Sequence, residues 1–291
     1  MYSDEIGDIV KACSEFAQKE CEEDLLKAWR KGFDLGYFNL SELSVSEASA
    51  VFEGIFSAKP TFGVPMLYFT ISQHIFGEYA SLAFQQNRLV TDFTYRSYVK
   101  IVDSEASLFV ADGRYYTPEL AELRVVRVVE GKDVDKEYIQ LLNILLAARC
   151  VGTAKYALKV VLSYLKEREK AGYERFDYCH CFEKLGEISA EIEASKLMLY
   201  RASTSADSDR TSIILSEMAL WKAACTAVMA ADEAVLLQEG FYDYKEDFKV
   251  EIFRSLAELK HRNPAGSSIY DLKISELFFP FTSRFYGHLP E

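Results

Sequence analysis

The chain has 291 residues, 49% of them hydrophobic and 27% charged, enough apolar material for a packed core and too much for intrinsic disorder. Asp plus Glu number 45 against 33 Lys plus Arg, a net charge of −12. That balance excludes a general nucleic-acid binder, whose affinity rests on neutralising phosphates.

Only 6 prolines and 14 glycines interrupt the chain, which favours helices. Residues 8–33 read as one helix: Ile9, Cys13, Phe16 and Ala17 share a face that Leu25, Leu26, Ala28 and Trp29 continue. Gly32 to Ser44 reads as a turn, and Ser46 to Phe56 as a helix ended by Lys59-Pro60. Residues 64–86 are apolar at helical spacing, with Met66, Phe69, Ile71, Ile75 and Phe76 on the stripe. No apolar run approaches the ~20 residues of a membrane span. The acidic, amphipathic start MYSDEIGDIVKACSEF is not a secretory signal, so a cytoplasmic location is expected. Residues 1–92 thus read as an N-terminal helical domain.

Residues 93–136 read differently. Ser107 to Ala111 is a short apolar run before an Asp112-Gly113 turn signal, and Leu123 to Val129 is β-branched with interleaved arginines. This is a small β insert, too short to hold many strands. Residues 137–291 return to helices, at about 137–170, 178–203, 210–238 and 248–259, the third opened by Ser208-Asp209 and closed by Gly240. Long amphipathic helices with short connections are expected to pack as an antiparallel four-helix bundle. The tail carries five aromatic rings, Phe278, Phe279, Phe281, Phe285 and Tyr286, which fit packing on the same chain or on a neighbour.

Motifs for phosphate loops, dinucleotides and zinc proteases are missing from the first ninety residues. Six cysteines are too dilute for a disulfide scaffold, and Cys179-His180-Cys181 has no second pair to complete a zinc site, so no metal is expected. His74, His180, His261 and His288 show no triad partner in the sequence.

Two stretches carry a resemblance. Ala147 to Ser203, with Tyr164, the Arg168 to Gly172 turn and Glu191 to Ala194, resembles the C-terminal helical domain of the acyl-CoA dehydrogenases. Ile214 to Leu259, with a turn at Leu236 to Tyr242 and Phe253-Arg254 at the next helix end, resembles the same domain. Ala28 to Phe38 is compatible with the family's N-terminal helical domain. The resemblance implies a mainly helical acyl-CoA dehydrogenase-like fold in which the middle β domain is much reduced.

It also implies a chemistry. In the family a carboxylate removes the α-proton of an acyl-CoA thioester while a hydride passes to FAD. On the resemblance, the two alternative positions of that carboxylate fall on Ala265 and Leu142, and neither can take a proton. Asn143 stands where the family commonly has Arg. Of the flavin contacts, Arg168 matches an arginine that reaches the pyrophosphate across a subunit interface, Gly240 survives from a glycine-rich turn, and Ser267 matches a threonine. Ala171, Cys179, Leu236, Glu239 and Tyr242 replace the remaining contacts. Outside the resemblance Arg168 reads as a salt-bridged helix residue, Gly240 as a helix C-cap and Ser267 as an N-cap.

Three functions are therefore weighed. The first is a subunit inactive alone, assembled as a homo- or hetero-oligomer with an acyl-CoA dehydrogenase subunit and sharing FAD at the interface. The second is a working acyl-CoA dehydrogenase with an unaligned base. The third is a scaffold that keeps only the fold.

Overall fold

The computed structural model describes residues 4–85, 89–91, 95–102, 105–115, 121–170, 179–206 and 209–237. Four helices come first: α1 (Asp4–Glu20), α2 (Leu25–Asp34), α3 (Val45–Ala58) and α4 (Pro60–Phe76). The single helix expected over 8–33 is two. Asp24 accepts hydrogen bonds from the backbone N–H groups of Leu26 and Lys27, both at 3.1 Å, and this cap starts α2 afresh. Ser44 and Glu47 form a reciprocal capping box at the start of α3.

Helix α4 does not run to residue 86 as the apolar spacing implies. Gly77, at φ 72°, ends it in the left-handed region that a side chain disfavours. Five strands follow, beginning ahead of residue 93: β1 (Ser81–Gln85), β2 (Leu89–Thr91), β3 (Tyr98–Val102), β4 (Glu105–Tyr115) and β5 (Ala121–Asp133). They close a barrel in the order β1-β2-β5-β4-β3, the parallel β1–β3 pair setting Leu82 opposite Val99. The reading of a segment too short for many strands is thus corrected. The insert is small but closed, because strands of three and five residues suffice for closure. Its own core is slight: Ala83, Tyr98, Phe109 and Leu123.

Two bulges distort β5. Val110 faces Arg127 but Ala111 faces Val125, and Leu108 faces Glu130 but Phe109 faces Val128. Val126 and Val129 therefore have no partner on β4. In a regular strand Arg124 and Arg127 would point to opposite sides. With one extra residue in each interval, Arg124, Arg127 and Glu130 share a face.

The C-terminal region holds α5 (Lys136–Lys170), α6 (Cys179–Thr204) and α7 (Asp209–Leu237), three helices of the expected bundle. The expected helix at 248–259, the Gly240 cap, Ser208 and the aromatic tail lie outside the described residues. Helices α6 and α7 are antiparallel: Ser195 and Thr226 share a hydrogen bond of 2.8 Å, and Lys184 lies 3.7 Å from Glu233. Within α7, Ile213–Ala234 is long and apolar enough to cross a membrane by length and composition, which corrects the expectation that no run approaches that length. Half of it is buried inside the protein.

One core runs through all of the helices, from Cys13 and Phe16 of α1 through Phe52 and Phe56 of α3 to Ile144 and Val151 of α5 and Ala223 of α7. Helices α3 and α5 touch backbone to backbone at Gly152, where a Cβ would sit 2.6 Å from the Phe56 Cβ and 2.7 Å from the Glu53 carbonyl oxygen.

Candidate functional site

The candidate site lies where α4, the end of β5 and the first turns of α5 converge. The joint is short. Val134 is buried, and the Asp135 carboxylate accepts the Tyr138 N–H at 2.8 Å, capping α5 two residues after β5 ends. Tyr138 turns back and donates its hydroxyl to the Ile71 carbonyl at 3.3 Å, and its ring stacks on His74 at 5.4 Å between centroids. Lys132 donates to the Ile75 carbonyl at 2.8 Å and lies 5.3 Å from the centre of the Phe76 ring. These contacts fix the barrel against the C-terminal end of α4. Burial pushes the Tyr138 hydroxyl well above its ordinary range, so it acts as a fixed donor rather than an acid. Burial lowers the His74 pKa, and the Asp135 carboxylate opposes that shift.

Nearly two turns into α5, Leu142 and Asn143 are both buried. Leu142 belongs to the continuous apolar core. The Asn143 amide donates to the Ser216 hydroxyl of α7 at 3.4 Å, and Ser216 donates in turn to the Ile213 carbonyl at 2.7 Å. Glu217, the next residue of α7, is buried as well.

Arg168 stands in the last turn of α5, 26 residues after Leu142. At ~1.5 Å per residue the two positions are ~39 Å apart along one helix axis. Leu142 and Arg168 therefore stand toward opposite ends of α5. Ala265, Ser267, Gly240, His261 and His288 lie outside the described residues, and so do the side chains of Arg168, Cys179, His180 and Cys181. Among the described residues no group of three His, Cys, Asp or Glu side chains is placed to hold a metal.

The sequence reading missed a buried polar cluster further along α5. Arg149 donates to the Tyr68 hydroxyl at 2.6 Å, its guanidinium set 5.7 Å from the Phe56 ring centre and 5.8 Å from that of Tyr68. One and a half turns on, Lys155 pairs with the fully buried Glu53 of α3. The available signal was a charged residue inside the small-residue stripe of α5, Ala147 to Ala154.

Residues 130–254 match the acyl-CoA dehydrogenase C-terminal domain. Over 125 of its 291 residues the chain is thus similar to the acyl-CoA dehydrogenases. Two curated relatives place the likeness. The caffeyl-CoA reductase–Etf complex subunit CarC of Acetobacterium woodii is 29% identical over 107 residues, 36% of this chain and 27% of that protein. The mitochondrial short/branched chain specific acyl-CoA dehydrogenase of Rattus norvegicus is 26% identical over 108 residues, 37% of this chain and 25% of that protein. Each match thus spans about a quarter of the relative's length.

Solved structures extend the likeness to the whole fold. Butyryl-CoA dehydrogenase from Megasphaera elsdenii aligns over 96% of this chain and 99% of its own, with a TM-score of 0.70 at 13% identity. The FAD complex of PigA aligns over 96% and 98%, with a TM-score of 0.69 at 13% identity. At such identities the likeness concerns the fold.

Asn143 near the start of α5 is engaged with Ser216 of α7, and Arg168 stands in the last turn of α5.

Proposed function

We propose that this chain is an acyl-CoA dehydrogenase-like subunit without its own catalytic base or complete flavin site, and that it works in the cytoplasm assembled with an acyl-CoA dehydrogenase subunit. The observation that carries the reading is Leu142. An aliphatic side chain, 8% exposed and part of the core, occupies the α5 position where the resemblance implies a carboxylate. Ala265 occupies the other position and is equally unable to take a proton. Arg168, toward the other end of α5 from Leu142, is left to serve a neighbour's flavin. The name of the CarC relative, a subunit of a complex, supports an assembled state. Gly240 and Ser267 complete the set of residues assigned to FAD, which is then held at a subunit interface.

The test is electron transfer from short, medium, long and aromatic acyl-CoA thioesters to an artificial acceptor, with the visible spectrum recorded in parallel. The isolated chain is expected to be colourless and inactive, and to show flavin absorbance only when co-expressed with a partner dehydrogenase. A placed base contributes ~10²–10⁴-fold to proton transfer. Turnover by the isolated chain in the ordinary range of ~1–10³ s⁻¹ sinks the proposal.

One observation favours a second reading, a dehydrogenase with its base elsewhere. Glu217 is a buried carboxylate one residue along α7 from Ser216, the residue that holds Asn143. If the isolated chain turns over acyl-CoA and Glu217→Gln abolishes that turnover while leaving flavin absorbance intact, Glu217 is the base.

A further inference from the structure

Strand β5 is the longest of the barrel, and most of its outer edge is open. Its pairing with β4 runs its full length, from Ala121 opposite Tyr115 to Asp133 opposite Glu105. On the other side β2 pairs with Ala121 and Glu122 alone. From Leu123 to Asp133, ~30 Å of strand, no other strand among the described residues takes up that edge. Every residue from Arg124 to Asp133 is exposed, and Val125, Val126, Val128 and Val129 are between 46% and 61% exposed. Such an edge presents a row of backbone donors and acceptors ready to pair with another strand.

The register with β4 sorts the side chains along this edge. Arg124 and Arg127 stand opposite Asp112 and Val110, on one face. Those partners are two β4 residues apart, so the arginines are ~7 Å apart. Val125 and Val128 stand opposite Ala111 and Phe109, on the other face. Leu123, opposite Gly113, lies on that second face, and Leu123 and Phe109 belong to the barrel's own small core. Val125 and Val128 thus carry the inner face of the barrel out into solvent. Glu130 lies 3.4 Å from Lys132, but among the described residues neither arginine is held in an ion pair.

These features fit one kind of partner. An extended segment adds to a sheet edge through backbone hydrogen bonds, and its alternate side chains give the specificity. Acidic residues two apart in an extended segment are ~7 Å apart on one face, the spacing of Arg124 and Arg127. The residues between them fall on the opposite face, beside Val125 and Val128, where apolar side chains are favoured. A second copy of this chain is the poorer occupant, because its β5 brings two further arginines to the same edge. Two arginines, with Asp112 across from Arg124 and Glu130 on their face, make no basic field for a nucleic acid or a lipid surface.

We propose that the open edge of β5 is a docking site for an extended segment of another protein in which acidic and apolar residues alternate. The segment adds as a strand beside β5. Its carboxylates meet Arg124 and Arg127, and its apolar side chains cover Val125 and Val128, extending the barrel core past Leu123 and Phe109. A segment of seven residues covers ~23 Å, within the open length. None of these residues lies in the candidate site, so the docking surface does not rest on the functional reading.

The test uses the full-length chain and two labelled synthetic peptides, Thr-Val-Glu-Val-Glu-Val-Thr and Thr-Val-Lys-Val-Lys-Val-Thr. Fluorescence anisotropy gives their affinities, and hydrogen exchange maps where they bind. The acidic peptide is expected to bind at least ~tenfold more tightly than the basic one, less so as salt rises, and to slow exchange within residues 123–133. R124E with R127E should reverse the preference, and binding of the basic peptide then shows that the variant is folded. V125T with V128T, which keeps the charges, should weaken the acidic peptide while leaving it preferred over the basic one. No binding of the acidic peptide, equal affinity for the two, or a preference that R124E with R127E does not reverse overturns the proposal. So does protection mapped to another element. Displacement of the acidic peptide by heparin at equal charge would reduce the edge to a general attraction for anions, and overturns it too. Exchange at 123–133 that slows with protein concentration alone would assign the edge to a second copy, with the same consequence. Flavin absorbance and turnover do not enter, so failure here is distinguishable from failure of the functional reading.

Discussion

At the scale of single residues, the buried polar groups of α5 decide more than its apolar stripe. Arg149 keeps a full charge inside the core, where an uncompensated ion is costly. Its compensation includes the Tyr68 hydroxyl and two aromatic faces. Tyr68→Phe removes one acceptor and leaves the rings nearly unchanged, so a loss of ~1–3 kcal/mol is expected in urea unfolding. A change below ~0.5 kcal/mol would show that the guanidinium does not need this partner. His74 gives the corresponding pH dependence. Burial lowers its folded pKa below the ordinary 6.5, so the neutral ring is the form the fold prefers. Its contribution is complete above 6.5, the unfolded value, and is lost as pH falls through the folded value. His74→Phe should keep a ring against Tyr138 and flatten the thermal midpoint as a function of pH below that point. An equally steep acid limb in the variant would assign the loss to other groups. Of the site residues, Leu142 was legible only through the resemblance, because a buried leucine on a helical stripe says nothing by itself. The Asn143–Ser216 contact joins residues 73 positions apart, and no local pattern signals it.

Among the elements, those read correctly were those whose boundary chemistry is local. The Lys59-Pro60 stop and the long stripes of α5, α6 and α7 are all visible within a few residues. The break between α1 and α2 was hidden in the charged run Lys19 to Asp24, where Asp24 looked like any solvated residue until its cap was seen. Strand β1 was missed for a different reason. Ser81 to Gln85 follows an apolar helix without a change of composition, and only Gly77 marks the switch. Strand β5 showed its β-branched character, but its bulges depend on pairing with β4 and leave no trace in sequence. The close packing of α3 on α5 makes a definite prediction. Ala normally favours a helix over Gly by ~1 kcal/mol. At Gly152 the added methyl meets backbone and a Cβ, atoms that cannot swing aside. Overpacking of ~1–3 kcal/mol should therefore win, and Gly152→Ala should lower the thermal midpoint. Gly7 on α1 has nothing within 4 Å of a built Cβ, so Gly7→Ala should raise it. If both substitutions stabilise, the helices separate freely at Gly152.

Across the whole molecule, the three regions read from composition share one core. Phe16, Phe56, Leu145 and Ala223 belong to the same apolar cluster, although they come from the first, third, fifth and seventh helices. Among the described residues the barrel has four buried residues in a cluster of its own, too few to hold it folded alone. Its stability is borrowed through Leu82, Val99, Ala106 and Leu108, which join the helical core. A protein built this way should unfold as one unit rather than region by region. The two tryptophans permit the test. Trp29 is buried in the N-terminal core, where its indole donates to Thr70 at 3.0 Å, whereas Trp221 lies on the exposed side of α7. In Trp221→Phe the remaining fluorescence reports the N-terminal helices alone, while far-ultraviolet circular dichroism is dominated by the long α5, α6 and α7. The two signals should give coincident thermal midpoints, at pH values on either side of the His74 transition. A fluorescence transition that precedes the loss of helix would mean that α1 to α4 open independently. The Arg149–Tyr68 and Lys155–Glu53 contacts would then not tie the N-terminal helices to the bundle.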